Sequence, residues 1–294
     1  MMRRLRDLLD ELEMDRSLED PDRLRQRIEA LDRLDAYLLD GQLPALGELS
    51  LATENLRRAR ALYTRLEAAN CSLYQEIRLE IQRGDGPGSL LHWLPSRTER
   101  SGDNAVLATG QGYDYLDELI SGVMQFSTPE AGGAPLAPGM VFYQPTPARH
   151  IFEMLAQTAL TEEDVLIDLG SGLGHVPLLV SICTPARGIG IELQTAYVDC
   201  ARYAAKELNL NRVTFIQQDV RAADLSRGTV FYLYTPFTWS ILRAVIDRLR
   251  QEGDKREIRI CTFGPCTPAV GEEPWLQALD ASDEDRIAVF SSRG

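Results

Sequence analysis

The sequence predicts an α/β protein: an open, mostly parallel sheet with helices on both faces, preceded by an all-helical N-terminal domain. Three observations lead to this prediction. A short apolar strand at residues 163–169 runs directly into three glycines at alternate positions. From residue 141 onward, apolar segments of strand length alternate with segments of helical periodicity, which is typical of parallel sheets. The first 90 residues show helical periodicity alone.

The N-terminal domain, residues 1–90, is expected to be a helical bundle. Leucines at helical spacing predict one helix over residues 3–13 and a second over about 21–40. A third helix over about 50–83 carries a heptad seam formed by Leu56, Ala59, Tyr63, Leu66, Asn70, Leu73 and Ile77. Asn70 at a core position permits two interpretations. The favoured one is an intramolecular bundle; the alternative is a homodimer through this long helix, with Asn70 setting the register.

Residues 91–140 are expected to hold a linker, a helix and a lid. The whole stretch 84–111 is rich in Gly, Ser, Pro, Arg and Asp, which favours irregular structure, and helical spacing returns over 112–126. Three prolines and three glycines within 127–140 predict a flexible lid.

The C-terminal domain, residues 141–294, is expected to contain the sheet. Five strands are predicted near 163–169, 188–192, 213–216, 230–234 and 258–263. Four helices are predicted: one over 147–159, one that begins near 176, one that ends near 208 and one over 240–250. Two last strands, near 275–279 and 287–291, flank an acidic turn and predict a closing antiparallel hairpin.

Composition and charge restrict the function. The net charge is −13, and residues 101–294 hold 15 basic and 25 acidic groups, so this region favours cationic partners over nucleic acid. Acidic residues in the first turns argue against a leader peptide, and no apolar window reaches membrane-span length, so we expect a cytoplasmic protein without membrane contact. Five scattered cysteines and three histidines indicate reduced thiols and no metal site.

The glycine turn indicates the ligand. It reads Asp168-Leu-Gly170-Ser171-Gly172-Leu-Gly174-His175. A dinucleotide fingerprint needs glycine where His175 stands, and the chain has no Gly-Lys-Ser/Thr triplet for a P-loop. The remaining pattern resembles motif I of the class I S-adenosylmethionine (AdoMet) methyltransferases, whose sheet has the predicted strand arrangement. Glycines chosen for turn geometry alone are the alternative.

That resemblance implies a set of AdoMet-binding residues. Gly170, Ser171, Gly172 and Gly174, with Asp168, would lie along the methionine part and ribose. Glu192 closes the second strand, where its carboxylate can accept hydrogen bonds from the ribose hydroxyls. By similarity to the family, Asp219 would meet the adenine amino group and Val220 would pack on the ring; a turn-forming Asp is the alternative.

Two segments are expected to contribute to catalysis. Tyr143 precedes the first helix of the sheet domain, where its ring would cover the sulfonium, and Thr146 would bind the AdoMet carboxylate. A strand edge followed by a helix cap explains the same residues. The fourth strand ends in Tyr234-Thr235-Pro-Phe, which loosely resembles the N/D-P-P-Y/F motif of amino-directed methyltransferases. A hydroxyl of Tyr234 or Thr235, or a carbonyl there, would orient the acceptor. We expect His175 to pack rather than act as a base.

Over residues 143–263 the motifs together are similar to the non-SET histone-lysine methyltransferases and the ATP synthase c-subunit lysine methyltransferases. This resemblance implies AdoMet as cofactor. The acidic C-terminal half would recruit cations, so the expected acceptor is an amine, on a protein lysine or a small molecule. Leu173-Gly174-His175 departs from the family pattern. The alternatives are a small-molecule N- or O-methyltransferase, a dinucleotide oxidoreductase, which His175 disfavours, and a non-catalytic AdoMet-binding scaffold.

Overall fold

The computed structural model describes residues 2–38, 49–95, 112–126, 143–234, 239–280 and 283–293. The chain divides into two compact units, Met1–Ile77 and Arg78–Gly294. The domain limits expected from the sequence, at residues 90 and 140, stay predictions. The expected lid at 127–140 lies outside the described residues, and so does Thr235, which was expected to orient the acceptor. No helix in the described ranges combines the length and apolar character that crossing a bilayer demands.

The first unit is built from helices, as predicted. They are α1 Met2–Met14, α2 Leu24–Leu38 and the portion within this unit of α3 Leu49–Arg83, with short 3₁₀ turns at Arg16–Glu19 and Pro21–Arg23. Leucines of the three helices form one apolar core, in which Leu9, Leu34 and Leu66 are fully buried. The helical periodicity of the sequence therefore reports a shared core inside one unit.

Asn70 finds its partner within this unit. It is 3% exposed, and its Oδ1 accepts a hydrogen bond from Nε of the fully buried Arg27 at 2.7 Å. The Arg27 guanidinium also donates to the carbonyls of Leu18 and Asp20. A buried charge needs such acceptors, because an unsatisfied one carries a large desolvation cost. The contact is the one that an intramolecular bundle requires; the homodimer stays a prediction.

The second unit holds the remaining elements. These are α4 Gly86–Leu91, α5 Tyr115–Met124, α6 Ala148–Thr158, β1 Val165–Leu169, α7 His175–Cys183, β2 Arg187–Glu192, α8 Thr195–Glu207, β3 Val213–Gln217, β4 Val230–Tyr234, α9 Trp239–Gly253, β5 Arg259–Phe263, α10 Thr267–Gly271, β6 Leu276–Ala278 and β7 Ala288–Ser292. The prediction of irregular structure over 84–111 is wrong at α4. Pro87 stands in the first turn of that helix, where its missing N–H costs nothing, and the side chain of Leu90 is fully buried.

The sheet confirms the predicted arrangement. Its order is β3-β2-β1-β4-β5-β7-β6, with β1 to β5 parallel. The strand β7 runs antiparallel to both β5 and β6. The strand order reverses between β1 and β4, and ligands of open α/β sheets bind at the carboxyl ends of strands beside such a reversal. The glycine turn follows β1 directly and therefore lies at this position.

Asp117 ties two helices together next to that edge. Its carboxylate accepts the Asp114 N–H in a capping box at the start of α5, and it also accepts the Ala148 N–H at the start of α6, both at 2.7 Å. Each helix start leaves backbone N–H groups without intrahelical partners, so one carboxylate serves both ends. The segment 143–147, which leads into α6, is held in place by this contact.

Candidate functional site

The glycine turn folds back onto the end of the neighbouring strand. Gly170, Gly172 and Gly174 have φ angles of +94°, +50° and +86°, in the left-handed region that favours glycine. The N–H groups of Gly170 and Ser171 both donate to the Ile191 carbonyl, at 2.9 and 3.0 Å. The turn thus lies over the carboxyl ends of β1 and β2.

Close packing is a second reason why two of these positions require glycine. A Cβ at Gly172 would lie 2.1 Å from Cε2 of Tyr143, and one at Gly174 would lie 2.5 Å from the ring of Phe215. The sequence did not single out Phe215, although its register partner Gly190, a glycine inside a strand, was a signal of close approach. Turn geometry and packing therefore account for Gly174 without any ligand.

Glu192 joins the glycine turn to the end of β2. It is 7% exposed, and its Oε2 accepts the Gly172 N–H at 2.9 Å while Oε1 accepts the Gln194 N–H at 2.8 Å. A carboxylate has about four acceptor positions, so each oxygen retains capacity for a further donor. The expected ribose-binding residue is thus buried at the sheet edge with acceptor positions left.

Asp168 is a second buried carboxyl beside the first. It is 5% exposed, and no hydrogen bond to its carboxyl group exists within the described ranges. Burial, with the negative charge of Glu192 as the smaller cause, raises the pKa of Asp168 well above its usual value. The Ser171 hydroxyl is also buried, and its oxygen has no partner in the described part of the chain. Buried polar groups without partners are rare in proteins, so the Ser171 hydroxyl is available to a ligand.

Tyr143 covers the glycine turn. Its ring lies against Gly172 and 5.0 Å from the ring of Tyr197, and its hydroxyl is 3.1 Å from Nδ1 of His175. Burial raises the pKa of Tyr143 and lowers the pKa of His175 to about 4, so both groups are neutral near pH 7. A single hydrogen bond between these neutral groups therefore joins the tyrosine hydroxyl to Nδ1. His175 also packs on Phe126 at 4.5 Å, as expected of a packing residue.

Thr146 pairs with a residue that the sequence did not single out. Its hydroxyl oxygen lies 2.8 Å from the hydroxyl oxygen of Tyr232, and both side chains are buried. One hydroxyl hydrogen joins the two oxygens, so the other hydrogen is left for a further acceptor. A tyrosine inside an otherwise apolar strand signals such a pair, because a buried phenol needs a hydrogen-bond partner.

The residues after β3 have partners of their own. The Asp219 carboxylate forms an ion pair with Arg221 at 2.6 Å, and the hydrogen bond from that guanidinium lowers the pKa of Asp219. Val220 belongs to the apolar core around β4 and α9. Their expected contacts with adenine stay predictions.

Tyr234 stands at the carboxyl end of β4. It is half-buried, and its ring lies 5.0 Å from that of Phe263 at the end of β5. Burial raises the pKa of Tyr234 to about 12, so it keeps its proton near pH 7. Three strand ends therefore bring Asp168, Glu192 and Tyr234 to one edge of the sheet.

Comparison with known proteins gives one family match. The model of the family described as histone methylation protein DOT1 matches residues 141–231, which is less than half of the chain. No curated protein matches this chain.

Several solved structures are similar. An RNA methyltransferase from Salinibacter ruber, crystallised with S-adenosyl-L-homocysteine, is 30% identical over 51% of this chain and 92% of that chain, with a TM-score of 0.39. The human methyltransferase 10 domain containing protein is 12% identical over 60% and 92%, at 0.41. A mutant of MtNAS with bound S-adenosylmethionine is 11% identical over 99% and 96%, at 0.39. All three TM-scores lie below 0.5, so these structures support no argument about the site. The family match is the comparison that bears on it, and it spans the glycine turn, Glu192 and Asp219.

Proposed function

This chain is a class I AdoMet-dependent methyltransferase, and we propose that it transfers the methyl group to an amine, with a protein lysine as the preferred acceptor. The observation that carries the site assignment is the pair of buried carboxyl groups, Asp168 and Glu192, against the glycine turn. AdoMet carries a sulfonium and an ammonium group, and two neighbouring buried carboxyl groups favour a cationic ligand, which would ionise Asp168 beside Glu192.

The residues present fit this donor. Glu192 has acceptor positions left for the two ribose hydroxyls, and the unpartnered Asp168 carboxyl can accept from the ammonium group. The turn itself, through Gly170, Ser171, Gly172 and Gly174, supplies backbone close to the ligand, and the buried Ser171 hydroxyl supplies a donor. When bound, AdoMet supplies an electrophilic methyl group.

Three further residues complete the proposed donor site. Thr146 binds the AdoMet carboxylate through its hydroxyl hydrogen, which is available when Tyr232 donates in the hydrogen bond between them. Asp219 accepts from the adenine amino group while it keeps its ion pair with Arg221, which uses part of its acceptor capacity. Val220 contributes apolar surface beside the adenine.

Tyr143 excludes water from the reacting methyl group. Its neutral ring already lies against Gly172, and an aromatic face attracts a sulfonium by about 0.5–2 kcal/mol. Its hydrogen bond to His175 holds the ring in that orientation. Alignment and desolvation are the main contributions that a protein makes to such a transfer.

The protonation states of the tyrosines and of His175 favour an amine over a hydroxyl acceptor, because Asp168, the carboxyl whose pKa burial raises, is assigned to the ammonium group of the donor. Tyr143 and Tyr234 keep their protons, and His175, with a pKa of about 4, is too weak a base to take one. A hydroxyl acceptor needs a general base near neutral pKa, whereas an amine needs only to arrive unprotonated. The Tyr234 hydroxyl, together with Thr235, orients the nitrogen lone pair. The acidic balance of residues 101–294 attracts such a cation-forming partner.

Transfer of label from tritiated AdoMet tests this function. The full chain is incubated with a cell lysate and labelled AdoMet, with the Glu192→Gln variant as the matched control. We expect base-stable label on protein, recovered as methyllysine after hydrolysis, with the wild-type chain alone. Label in small molecules or base-labile label contradicts the lysine proposal, label in RNA contradicts the exclusion of nucleic acid, and donor binding without transfer indicates a scaffold.

A further inference from the structure

We propose that this chain has a second ligand site, for a small phosphorylated anion, at the edge of the sheet opposite the glycine turn. A cavity of about 930 Å³ lies at the amino ends of β1, β2 and β3 and is lined by Arg187, Arg212 and Arg227. A five-residue strand spans roughly 16 Å, and the length of the strands therefore separates this cavity from the site at their carboxyl ends. The inference does not depend on the proposed acceptor.

The charge of the cavity is opposite to that of its surroundings. Three guanidinium groups and one carboxylate, Glu162, line it, although residues 101–294 hold ten more acids than bases. In the described ranges no hydrogen bond involves the side chain of Arg187 or Arg227. Asp224 is the acidic neighbour of Arg227. Two guanidinium groups in one concave site thus retain their donors for a ligand.

Arg212 is held in place by backbone carbonyls. Its Nη2 donates to the Ser181 carbonyl at 2.9 Å and to the Thr184 carbonyl at 3.1 Å, at the end of α7. The carboxyl end of a helix carries partial negative charge, which repels anions. Arg212 neutralises that end, and its other amino group remains able to bind. A fixed guanidinium is the group best suited to the geometry of a phosphate.

Polar groups and volume define the class of ligand. Asn211 and Thr214 line the same cavity and supply neutral donors. The volume falls within the roughly 300–1,000 Å³ of small-molecule sites. A net charge of −13 disfavours an extended polyanion such as RNA. The geometry points to a compact ligand with one or two phosphate groups, whereas the cationic AdoMet would be repelled here.

Calorimetric titration of the full chain with inorganic pyrophosphate and with ADP tests the site. The double variant Arg187→Gln/Arg227→Gln removes two charges whose side chains make no hydrogen bond in the described structure, and the exposed Arg286→Gln serves as the control for one lost charge. We expect pyrophosphate to bind the double variant at least about tenfold more weakly, and the control as it binds the wild type. AdoMet affinity should stay within about twofold in every variant. The single variant Arg187→Gln gives the same test, should the double variant fail to fold.

The other outcomes of these binding measurements either overturn the second site or support it. The proposal is overturned if pyrophosphate and ADP give no binding heat with the wild-type chain, or if the double variant binds them unchanged. Binding of an RNA oligonucleotide that depends on Arg187 and Arg227, without binding of pyrophosphate, overturns it in favour of a nucleic-acid surface. A chain that binds pyrophosphate in this way but does not bind AdoMet supports the second site and contradicts the donor site.

Discussion

Replacement of Glu192 by glutamine is the sharpest test of the donor site. The carboxylate accepts two backbone N–H groups, one from the glycine turn and one from Gln194, at 2.9 and 2.8 Å. Glutamine keeps one oxygen, so its NH₂ group must face one of these N–H donors. The substitution therefore removes one charge-assisted hydrogen bond, leaves one backbone N–H without its acceptor and removes one acceptor proposed for the ribose.

The structure sets the size of the effect. A hydrogen bond to a charged group contributes about 1.5–3 kcal/mol, and Glu192 is 7% exposed, so solvent replaces little of the loss. We expect the free energy of unfolding to fall by about 2 kcal/mol. Loss of one ribose contact of similar strength weakens AdoMet binding by about 10- to 100-fold, since each tenfold change corresponds to about 1.4 kcal/mol.

Two measurements on one variant separate stability from binding. Urea denaturation gives the free energy of unfolding, and calorimetric titration with AdoMet gives the affinity at a temperature where both proteins are folded. Glu163→Gln is the matched control, because Glu163 is exposed and makes no hydrogen bond through its side chain in the described structure. AdoMet affinity in Glu192→Gln equal to that of the control would refute the ribose assignment.

Three further predictions test the surroundings of this carboxylate. Gly172→Ala places a methyl group 2.1 Å from the Tyr143 ring at a φ of +50°, so a urea melt should show a loss of about 1–3 kcal/mol; an unchanged melt contradicts this packing. Because burial raises the pKa of Asp168, a bound ammonium group should ionise it, and AdoMet affinity should rise with pH as a proton is released. Calorimetry in buffers of different ionisation enthalpy detects that proton, which Asp168→Asn should abolish; a buffer-independent enthalpy in the wild type argues against the contact. Burial raises the pKa of Asp117 to about 6, above its unfolded value, so its contribution to the free energy of unfolding should fall by about 2–3 kcal/mol as pH rises from about 4 to 6. The difference between wild type and Asp117→Asn isolates this contribution, and a difference that does not vary with pH contradicts it.

The sequence by itself determined most of the elements and the arrangement of the sheet, although it did not predict the short helices α4 and α10. Alternation of strand and helix patterns predicted the parallel sheet with its final hairpin, and the order β3-β2-β1-β4-β5-β7-β6 confirms it. The position of Glu192 at the end of β2 was predicted in the same way. These features depend on periodicity and turn chemistry, which lie in residues adjacent along the chain.

Only the tertiary structure decided which side chains meet. Arg27 and Asn70 are 43 residues apart, and Thr146 and Tyr232 are 86 apart. The contact between Gly174 and Phe215 likewise depends on how α7 and β3 pack on β2. Periodicity shows that a residue is buried, but it carries no information about which distant residue shares that space. Partners of buried polar groups are therefore set by packing of the whole unit, since each must be satisfied where the fold places it.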